Sequence, residues 1–271
     1  MDDKSVKPLR DRLDALEARL QRKELENSIF WKSAILSGFW GDYLEFGSYS
    51  GSSLCRAYQA FFQLYLDFWN GSYDHTTDQR DRMLGWLQKA WEKKRFIAFD
   101  SWEGLPAPVG IDSKFPHFEK GAYTAGIDQF LENCARGGVP REKIVPVKGF
   151  YESTLTTETA RGLDLSVASV ILIDCDLHES TRLALDFVTP YLRDGTVLIF
   201  DDWFQFNGHP ELGEQRAFTE WRAEHPRFTF SEHATEGPWA KSFIVHLPLK
   251  DKPPAHAWLP DPSLLAPTQR H

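Results

Sequence analysis

Short apolar runs that end in acidic residues constrain the fold of this chain more than any other feature. SVILIDCD (169–176) and TVLIFDD (196–202) are almost continuously apolar until each closes on aspartates, and RFIAFD (95–100) has the same form. Strands with such uninterrupted runs are buried on both faces, as in parallel sheets covered by helices. The runs therefore predict the central strands of an α/β protein.

Patterns typical of helices separate these strands. We predict helices in SLCRAYQAFFQLYLDFW (53–69), ESTRLALDFVTPYL (179–192) and ELGEQRAFTEWRAEH (211–225). Strands that alternate with helices through short loops predict a doubly wound α/β sheet. The remaining strands are expected at 42–47, 143–149, 227–233 and 241–247. The last two alternate polar and apolar residues, as edge or antiparallel strands do.

The chain divides into three parts by pattern and composition. A helical segment (1–40) precedes the α/β domain (41–247), and a Pro-rich tail (248–271) follows it. Within the domain, residues 106–126 carry Pro and Gly without clear periodicity. Because long irregular segments in compact domains are typically functional lids or disordered, we predict a lid here.

A leucine stripe marks the amino-terminal segment. Leu9, Leu13, Leu16 and Leu20 recur at heptad-like spacing between charged residues. The stripe is too short for a self-standing coiled coil. Two interpretations remain open: a terminal helix docked on the body of the protein, or a homodimer contact with a second copy.

Composition excludes several classes of function. The net charge of −8 over 271 residues argues against nucleic-acid binding, which needs a basic face. No apolar run reaches the roughly 18 residues of a membrane span, and the charged amino terminus lacks a signal sequence. The three cysteines, Cys55, Cys134 and Cys175, lack CxxC spacing, which favours reduced thiols and a cytoplasmic location.

Polar residues follow four of the predicted strands at the point where each strand ends. In an open α/β sheet, ligands bind outside the carboxyl ends of the strands. Each acidic residue alone is also explained as a helix N-cap, but four strand ends in register favour a single binding crevice. The group comprises Glu45 to Gly47, Asp100, Asp174 with Asp176, and Asp201 with Asp202.

The first of these strand ends, GDYLEFGSYSG (41–51), forms a glycine loop. Glycines let a ligand approach the backbone closely, and the free amides at the start of the next helix offer donors. The loop has G-x-x-x-G instead of the dinucleotide fingerprint G-x-G-x-x-G. Asp100, which ends the second strand, suits a ribose hydroxyl, although it follows Gly47 by 53 positions.

Taken in order, five segments resemble the macrocin O-methyltransferase family: GDYLEFGSYSG, FIAFDSWEGLP, KGFYESTL, ILIDCDLHEST and VLIFDDW. Members of that family are metal-dependent enzymes that use S-adenosylmethionine to methylate sugar hydroxyls in macrolide and aminocoumarin antibiotic pathways. The resemblance covers roughly residues 40–225. It implies a class I methyltransferase fold with seven strands, the last of them antiparallel.

The resemblance also implies where S-adenosylmethionine binds. The glycine loop would hold its methionine end and part of the adenosine, with Glu45 near the cationic sulfur. Asp100 and Ser101 would take the ribose hydroxyls, and Gly149 with Phe150 would line the adenine. The implied cofactor residues are Glu45, Phe46, Gly47, Ser48, Gly51, Ser52, Asp100, Ser101, Gly149, Phe150 and Asp174.

The family's Mg²⁺ would be carried by Asp174, Asp201 and Asp202. Mg²⁺ prefers hard oxygen ligands, and carboxylates crowded at adjacent strand ends repel one another when no cation is present. The ion would bind adjacent substrate hydroxyls and lower the pKa of the one that is methylated.

His178 departs from the family pattern, which commonly has an aromatic residue at this position of DCDLHEST. A histidine beside carboxylates suits a general base at neutral pH, and Asp174 is the rival candidate. A histidine that only fills space at the helix start is an equally good interpretation. In the predicted lid, Phe115, His117, Phe118 and Tyr123 suggest an aromatic wall for the acceptor.

These observations predict a Mg²⁺- and S-adenosylmethionine-dependent O-methyltransferase. Its acceptor would be a hydroxyl of a small-molecule natural product, glycosylated or bearing a diol. Two alternatives stay open: a nicotinamide-dependent oxidoreductase on a similar sheet, and a non-catalytic cofactor-binding partner protein. The missing G-x-G-x-x-G counts against the first, and the intact aspartates count against the second.

Overall fold

Seven strands form a single mixed sheet. The computed structural model describes residues 17–37, 40–71, 77–114 and 118–248. The sheet order is β3-β2-β1-β4-β5-β7-β6, where the strands are β1 (Asp42–Phe46), β2 (Phe96–Asp100), β3 (Ile144–Lys148), β4 (Ala168–Ile173), β5 (Val197–Phe200), β6 (Thr229–Glu236) and β7 (Ala240–His246). β1 to β5 run parallel, and β7 pairs antiparallel with both β5 and β6. The predicted doubly wound sheet with an antiparallel last strand is confirmed.

Ten helical segments accompany the sheet in the described ranges. They are α1 (17–27), α2 (Ile29–Ser37), α3 (Ser52–Trp69), α4 (Thr77–Lys93), α5 (Ile127–Arg136), α6 (Tyr151–Thr154), α7 (Thr157–Gly162), α8 (His178–Val188), α9 (Gln205–Gly208) and α10 (Gly213–Glu224). The helix predicted at 179–192 ends as an α-helix at Val188 and continues as a 3₁₀ turn, Thr189–Tyr191. Pro190 explains the change, because proline lacks the N–H that would continue the α-helical ladder.

Helices cover both faces of the sheet because side chains alternate along each strand. On one face Tyr43 and Phe96 pack under α3 in the first hydrophobic core. On the other face Leu44 and Phe46 pack in a second core with residues of α8 and α10. This two-sided burial explains the continuous apolar runs, and it leaves only the strand ends for polar chemistry.

The described part of the amino-terminal segment docks on the body. Arg22 of α1 pairs with Asp67 of α3 at 2.8 Å, and Leu25 packs against the first core. Leu20 is 57% exposed, while Leu9, Leu13 and Leu16 lie outside the described residues. A homodimer contact through the leucine stripe therefore stays a prediction.

Two further predicted segments fall partly or wholly outside the described residues. Most of the Pro-rich tail, residues 249–271, is among them, and so are Phe115 and His117 of the predicted lid. Across the described ranges, no helix is both long enough and apolar enough to cross a membrane.

Candidate active site

A cavity of about 310 Å³ lies at the carboxyl ends of the parallel strands. Five strand ends open into it, because the residue at or just after the end of each of β1 to β5 lines its wall. These residues are Gly47, Asp100, Gly149, Asp174 and Asp201. Ser101, Phe150, Asp176 and Asp202 line it as well. The structure therefore brings most of the predicted site residues into one crevice, as the parallel arrangement requires.

Asp100 organises the glycine loop through backbone hydrogen bonds. Its Oδ2 accepts the N–H groups of Ser48 and Tyr49, both at 2.8 Å. Its Oδ1 accepts the N–H of Trp102 at 2.6 Å. Oδ2 already accepts two donors, so Oδ1 is the oxygen that retains acceptor capacity. Asp100 thus couples the loop after β1 to the turn after β2.

Gly47 is required by a contact between neighbouring strands. Its φ is +87°, and a Cβ built there would lie 1.8 Å from the carbonyl oxygen of Asp174. Gly51 faces α5, where a Cβ would lie 2.8 Å from Cys134 Sγ. Both glycines thus serve packing within the protein, and only Gly47 also lines the cavity.

Glu45 lies behind the loop, fully buried and outside the cavity lining. Its carboxylate accepts hydrogen bonds from the hydroxyls of Tyr43 at 2.6 Å and Ser53 at 3.0 Å. Burial raises the pKa of Glu45 to about 7, against the lowering effect of these donors. Glu45 therefore ties β1 to the first turn of α3.

Four other implied cofactor residues also lie outside the lining. The ring of Phe46 stacks on Phe99 in the second core, with centroids 4.9 Å apart. The side chain of Ser48 is buried, and Ser52 is exposed at the start of α3. With Gly51, these residues shape the loop from behind, and their predicted role in cofactor binding stays a prediction.

Four aspartates converge where β4 and β5 end. The backbone N–H of Asp201 donates to the carbonyl of Ile173 at 3.0 Å, which keeps the two strand ends in register. Asp176 follows in a left-handed conformation, with φ of 58°. The amide of Gln205 donates to Asp202 Oδ1 at 2.6 Å and lies 3.2 Å from Asp176 Oδ1. Gln205 thus holds two of the four carboxylates together.

Burial raises the pKa values of these four aspartates, and repulsion between carboxylates adds to it for Asp174, Asp201 and Asp202. Burial raises the pKa of Asp174 well above its usual range, and the charges of Asp201 and Asp202 raise it further. Burial, with the charges of Asp176 and Asp201, raises the pKa of Asp202 to about 8. Holding these carboxyl groups ionised together is therefore unfavourable, and a bound cation would offset that cost.

The donor set suits a hard divalent cation, because every candidate ligand is a carboxylate oxygen. Within the described ranges, however, no three His, Cys, Asp or Glu side chains converge closely enough to form a ready-made metal site. The chemistry of the site fits Mg²⁺, although the carboxylates do not surround a preformed coordination sphere.

His178 points away from the cavity. Its Nε2 lies 2.7 Å from Glu220 Oε2 of α10, its side chain is buried, and it does not line the cavity. The geometry thus favours the structural interpretation of His178 and gives no support to its role as a general base.

Two aromatic residues of the predicted lid, Phe118 and Tyr123, lie within the described residues. Tyr123 lines the cavity, and its ring meets that of Tyr49 edge to face with centroids 6.4 Å apart. The charge of Asp176 raises the pKa of Tyr123, which places its hydroxyl near the carboxylates. Phe118 packs against Phe206, with centroids 5.6 Å apart. Tyr123 is thus the lid aromatic that reaches the cavity among the described residues.

The sequence interpretation missed two residues that organise this site. Gln205 bridges Asp176 and Asp202, and Glu214 accepts the backbone N–H of Asp202 at 3.0 Å. Glu214 stands in the first turn of α10, where an acidic residue is ordinarily explained by the helix dipole. Gln205 follows Asp202 by three residues, a proximity that was available as a signal, whereas Glu214 lies twelve residues from Asp202.

A doubly wound sheet of this order, with its ligand cavity at the carboxyl ends of the parallel strands, defines a class I methyltransferase fold. Residues 82–226 match the family model of macrocin-O-methyltransferase (TylF). Because the match covers more than half of the chain, the chain belongs to this family of O-methyltransferases.

One curated relative and two solved structures are similar to this chain. The relative is the 8-demethyl-8-(2,3-dimethoxy-alpha-L-rhamnosyl)-tetracenomycin-C 4'-O-methyltransferase of Streptomyces olivaceus, 31% identical over 116 residues. That match spans 41% of this chain and 42% of the relative, less than half of either.

The first structure is a calicheamicin methyltransferase, 20% identical with a TM-score of 0.55, covering 83% of this chain and 80% of that one. The second is the O-methyltransferase NovP, 19% identical with a TM-score of 0.56, covering 82% and 79%. At these identities the structures share the fold with this chain.

Proposed function

We propose that this protein transfers a methyl group from S-adenosylmethionine to a hydroxyl of a small-molecule natural product, with Mg²⁺ as its metal. The observation that carries the proposal is a single cavity that joins the Asp100 loop at one end to four aspartates at the other. Such a cavity would hold a cofactor and an acceptor side by side, as methyl transfer between them requires. Family membership supports the same reaction.

At the cofactor end, hydrogen bonds to Asp100 hold the backbone of the loops after β1 and β2 in place. S-adenosylmethionine, when bound, supplies an electrophilic methyl group. Asp100 presents its remaining acceptor capacity to the ribose hydroxyls, beside Ser101. Gly149 and Phe150 line this end of the cavity and would contact the adenine ring. These residues would bind and orient the cofactor at the end of the cavity opposite the aspartates.

The acceptor end is formed by carboxylates. Asp174, Asp201 and Asp202 are the residues that would hold Mg²⁺, which when bound supplies positive charge that lowers the pKa of a substrate hydroxyl. Asp174 is our proposed proton acceptor, because it lies in the cavity wall whereas His178 pairs with Glu220 outside it. Tyr49 and Tyr123 line the cavity and meet edge to face at its mouth, where both remain about half exposed.

We propose as acceptor a glycosylated or diol-bearing secondary metabolite. Two neighbouring hydroxyls match a divalent cation, and the aromatic rings at the mouth match the apolar face of a sugar or polyketide ring. The S. olivaceus relative is named for methylating a rhamnosyl tetracenomycin, which supports this class of acceptor.

No observation specifically favours either alternative, the nicotinamide-dependent oxidoreductase or the non-catalytic partner protein. The glycine loop keeps G-x-x-x-G, which does not meet the dinucleotide fingerprint of a nicotinamide enzyme. The four aspartates all remain in the cavity wall, a set that a non-catalytic partner has no need of.

Calorimetric titration of S-adenosylhomocysteine into the chelator-treated protein tests the cofactor. We expect micromolar binding, about −8 kcal/mol. No heat at any temperature tested would overturn the cofactor assignment, since the product of the proposed reaction would then have no site.

Asp201→Asn tests whether the two ends of the cavity have separate roles, one in binding the cofactor and the other in binding the metal. The variant should lose turnover while its affinity for S-adenosylhomocysteine stays nearly unchanged. Asp186→Asn, which removes a half-exposed carboxylate from α8, is the matched control and should keep turnover. Loss of cofactor affinity in Asp201→Asn would contradict the assignment of Asp201 to the metal.

A further inference from the structure

Glu214 is a buried carboxylate that neither end of the cavity requires. It occupies the second position of α10 and is 1% exposed. It does not line the cavity but lies behind the turn that carries Asp201 and Asp202. Burying a carboxylate is costly unless its oxygens find partners, so its presence there calls for a role.

One oxygen of Glu214 anchors that turn. Oε2 accepts the backbone N–H of Asp202 at 3.0 Å. The neighbouring Gln215 donates to the carbonyl of Trp203 at 2.6 Å. The first turn of α10 therefore holds the backbone of the aspartate turn at two successive residues, Asp202 and Trp203.

The other oxygen of Glu214 has no hydrogen-bond donor among the described residues. Oε1 is buried and unpartnered. A buried acceptor left without a donor destabilises the protein. A positive charge on the far side of the aspartates would offset that cost.

We propose that Glu214 is a positioning residue of the divalent-cation site, which fixes Asp202 through its backbone and adds a fifth carboxylate behind the four aspartates. It thereby tightens cation binding and destabilises the cation-free protein. The inference rests on the metal in the proposed function and extends it, because it concerns how the protein makes its stability depend on that metal.

Mn²⁺ titration and thermal unfolding of Glu214→Gln test the inference. The amide oxygen of glutamine still accepts the N–H of Asp202, while the carboxylate is removed. We expect Mn²⁺ affinity to fall by about tenfold or more, as for residues that orient metal ligands. The Tm of the chelator-treated protein should rise. Glu224→Gln, at the exposed far end of the same helix, should change neither quantity.

Glu214→Asp distinguishes the effect of side-chain length from the effect of the carboxylate charge. The shorter side chain keeps the carboxylate but withdraws from Asp202, so Mn²⁺ affinity should fall without a rise in the cation-free Tm. Wild-type Mn²⁺ affinity in both variants would overturn the role of Glu214 alone. Failure of the wild-type protein to bind Mn²⁺ would overturn the metal assignment itself, and this inference with it.

Discussion

The side-chain amide of Gln205 lies 2.6 Å from Asp202 Oδ1, and this hydrogen bond orients a carboxylate that no local pattern would aim into the cavity. The same nitrogen approaches Asp176 Oδ1 at 3.2 Å. Gln205 itself stands at the start of α9, just before two left-handed residues, Phe206 and Asn207. The bent backbone and the amide together set the spacing of the two aspartates.

Replacing Gln205 with Ala removes this bridge without touching the cofactor end. Because small displacements of reacting groups cost up to about a hundredfold in rate, we expect kcat to fall by about ten- to a hundredfold. The affinity for S-adenosylhomocysteine should not change. Gln88→Ala on α4, where the amide bonds only the exposed Glu92, is the control. An unchanged kcat in Gln205→Ala would show that the bridge does not matter.

Asp100→Asn tests the role of Asp100 as organiser of the glycine loop. Asparagine retains one acceptor oxygen, so it cannot accept from Ser48, Tyr49 and Trp102 as the carboxylate does. A hydrogen bond to a charged group is worth about 1.5–3 kcal/mol, so affinity for S-adenosylhomocysteine should fall about tenfold or more. Calorimetry measures the loss, and Glu103→Gln, an exposed neighbour, should bind as wild type. Equal affinities in the two variants would argue against the assignment.

Gly47→Ala and Gly121→Ala distinguish a steric requirement from a conformational one. Both glycines have positive φ, +87° and +84°. A Cβ at Gly47 meets the carbonyl of Asp174, whereas one at Gly121 meets nothing within 4 Å. Gly121→Ala should lower the free energy of unfolding by about 1–2 kcal/mol, and Gly47→Ala by clearly more, as chemical denaturation can measure. Equal losses of unfolding free energy in the two variants would mean that β1 and β4 accommodate the added Cβ of Gly47→Ala without a further cost.

Glu45 should make stability depend on pH. Its pKa is raised from 4.5 to about 7 in the folded protein, so between these values the native state holds a proton that the unfolded chain has released. The stability that this group contributes is fully present below its unfolded pKa and is lost as pH rises through 7. Relative to Glu45→Gln, the wild-type free energy of unfolding should fall by about 3 kcal/mol between pH 4 and pH 8. Denaturation of both proteins across that range measures the difference, and a constant difference would contradict the shift.

Much of the fold could be predicted from the sequence because its signals are local. The four residues before each of Asp100, Asp174 and Asp201 are apolar, and each run corresponds to a buried parallel strand. Strand ends differ from prediction by a few residues, most clearly at β6, which runs on to Glu236. That strand lies at the sheet edge, where pairing with β7 rather than apolar pattern sets its length.

Tertiary structure alone decided what each polar residue does. Glu45 and Asp100 both end strands, yet Glu45 faces α3 in the core while Asp100 faces the cavity, since alternation and helix packing turn them to different sides. His178 is adjacent in sequence to the aspartate motif but bonds Glu220, 42 residues later.

The sequence by itself determined the strands, the polar residues at their ends and the family, because apolar periodicity and motif spacing are properties of neighbouring residues. Which carboxylates converge, and which residues orient them, depends on contacts such as that between Asp202 and Glu214. These contacts form only when α10 packs beneath the end of β5, and no property of either segment alone encodes them.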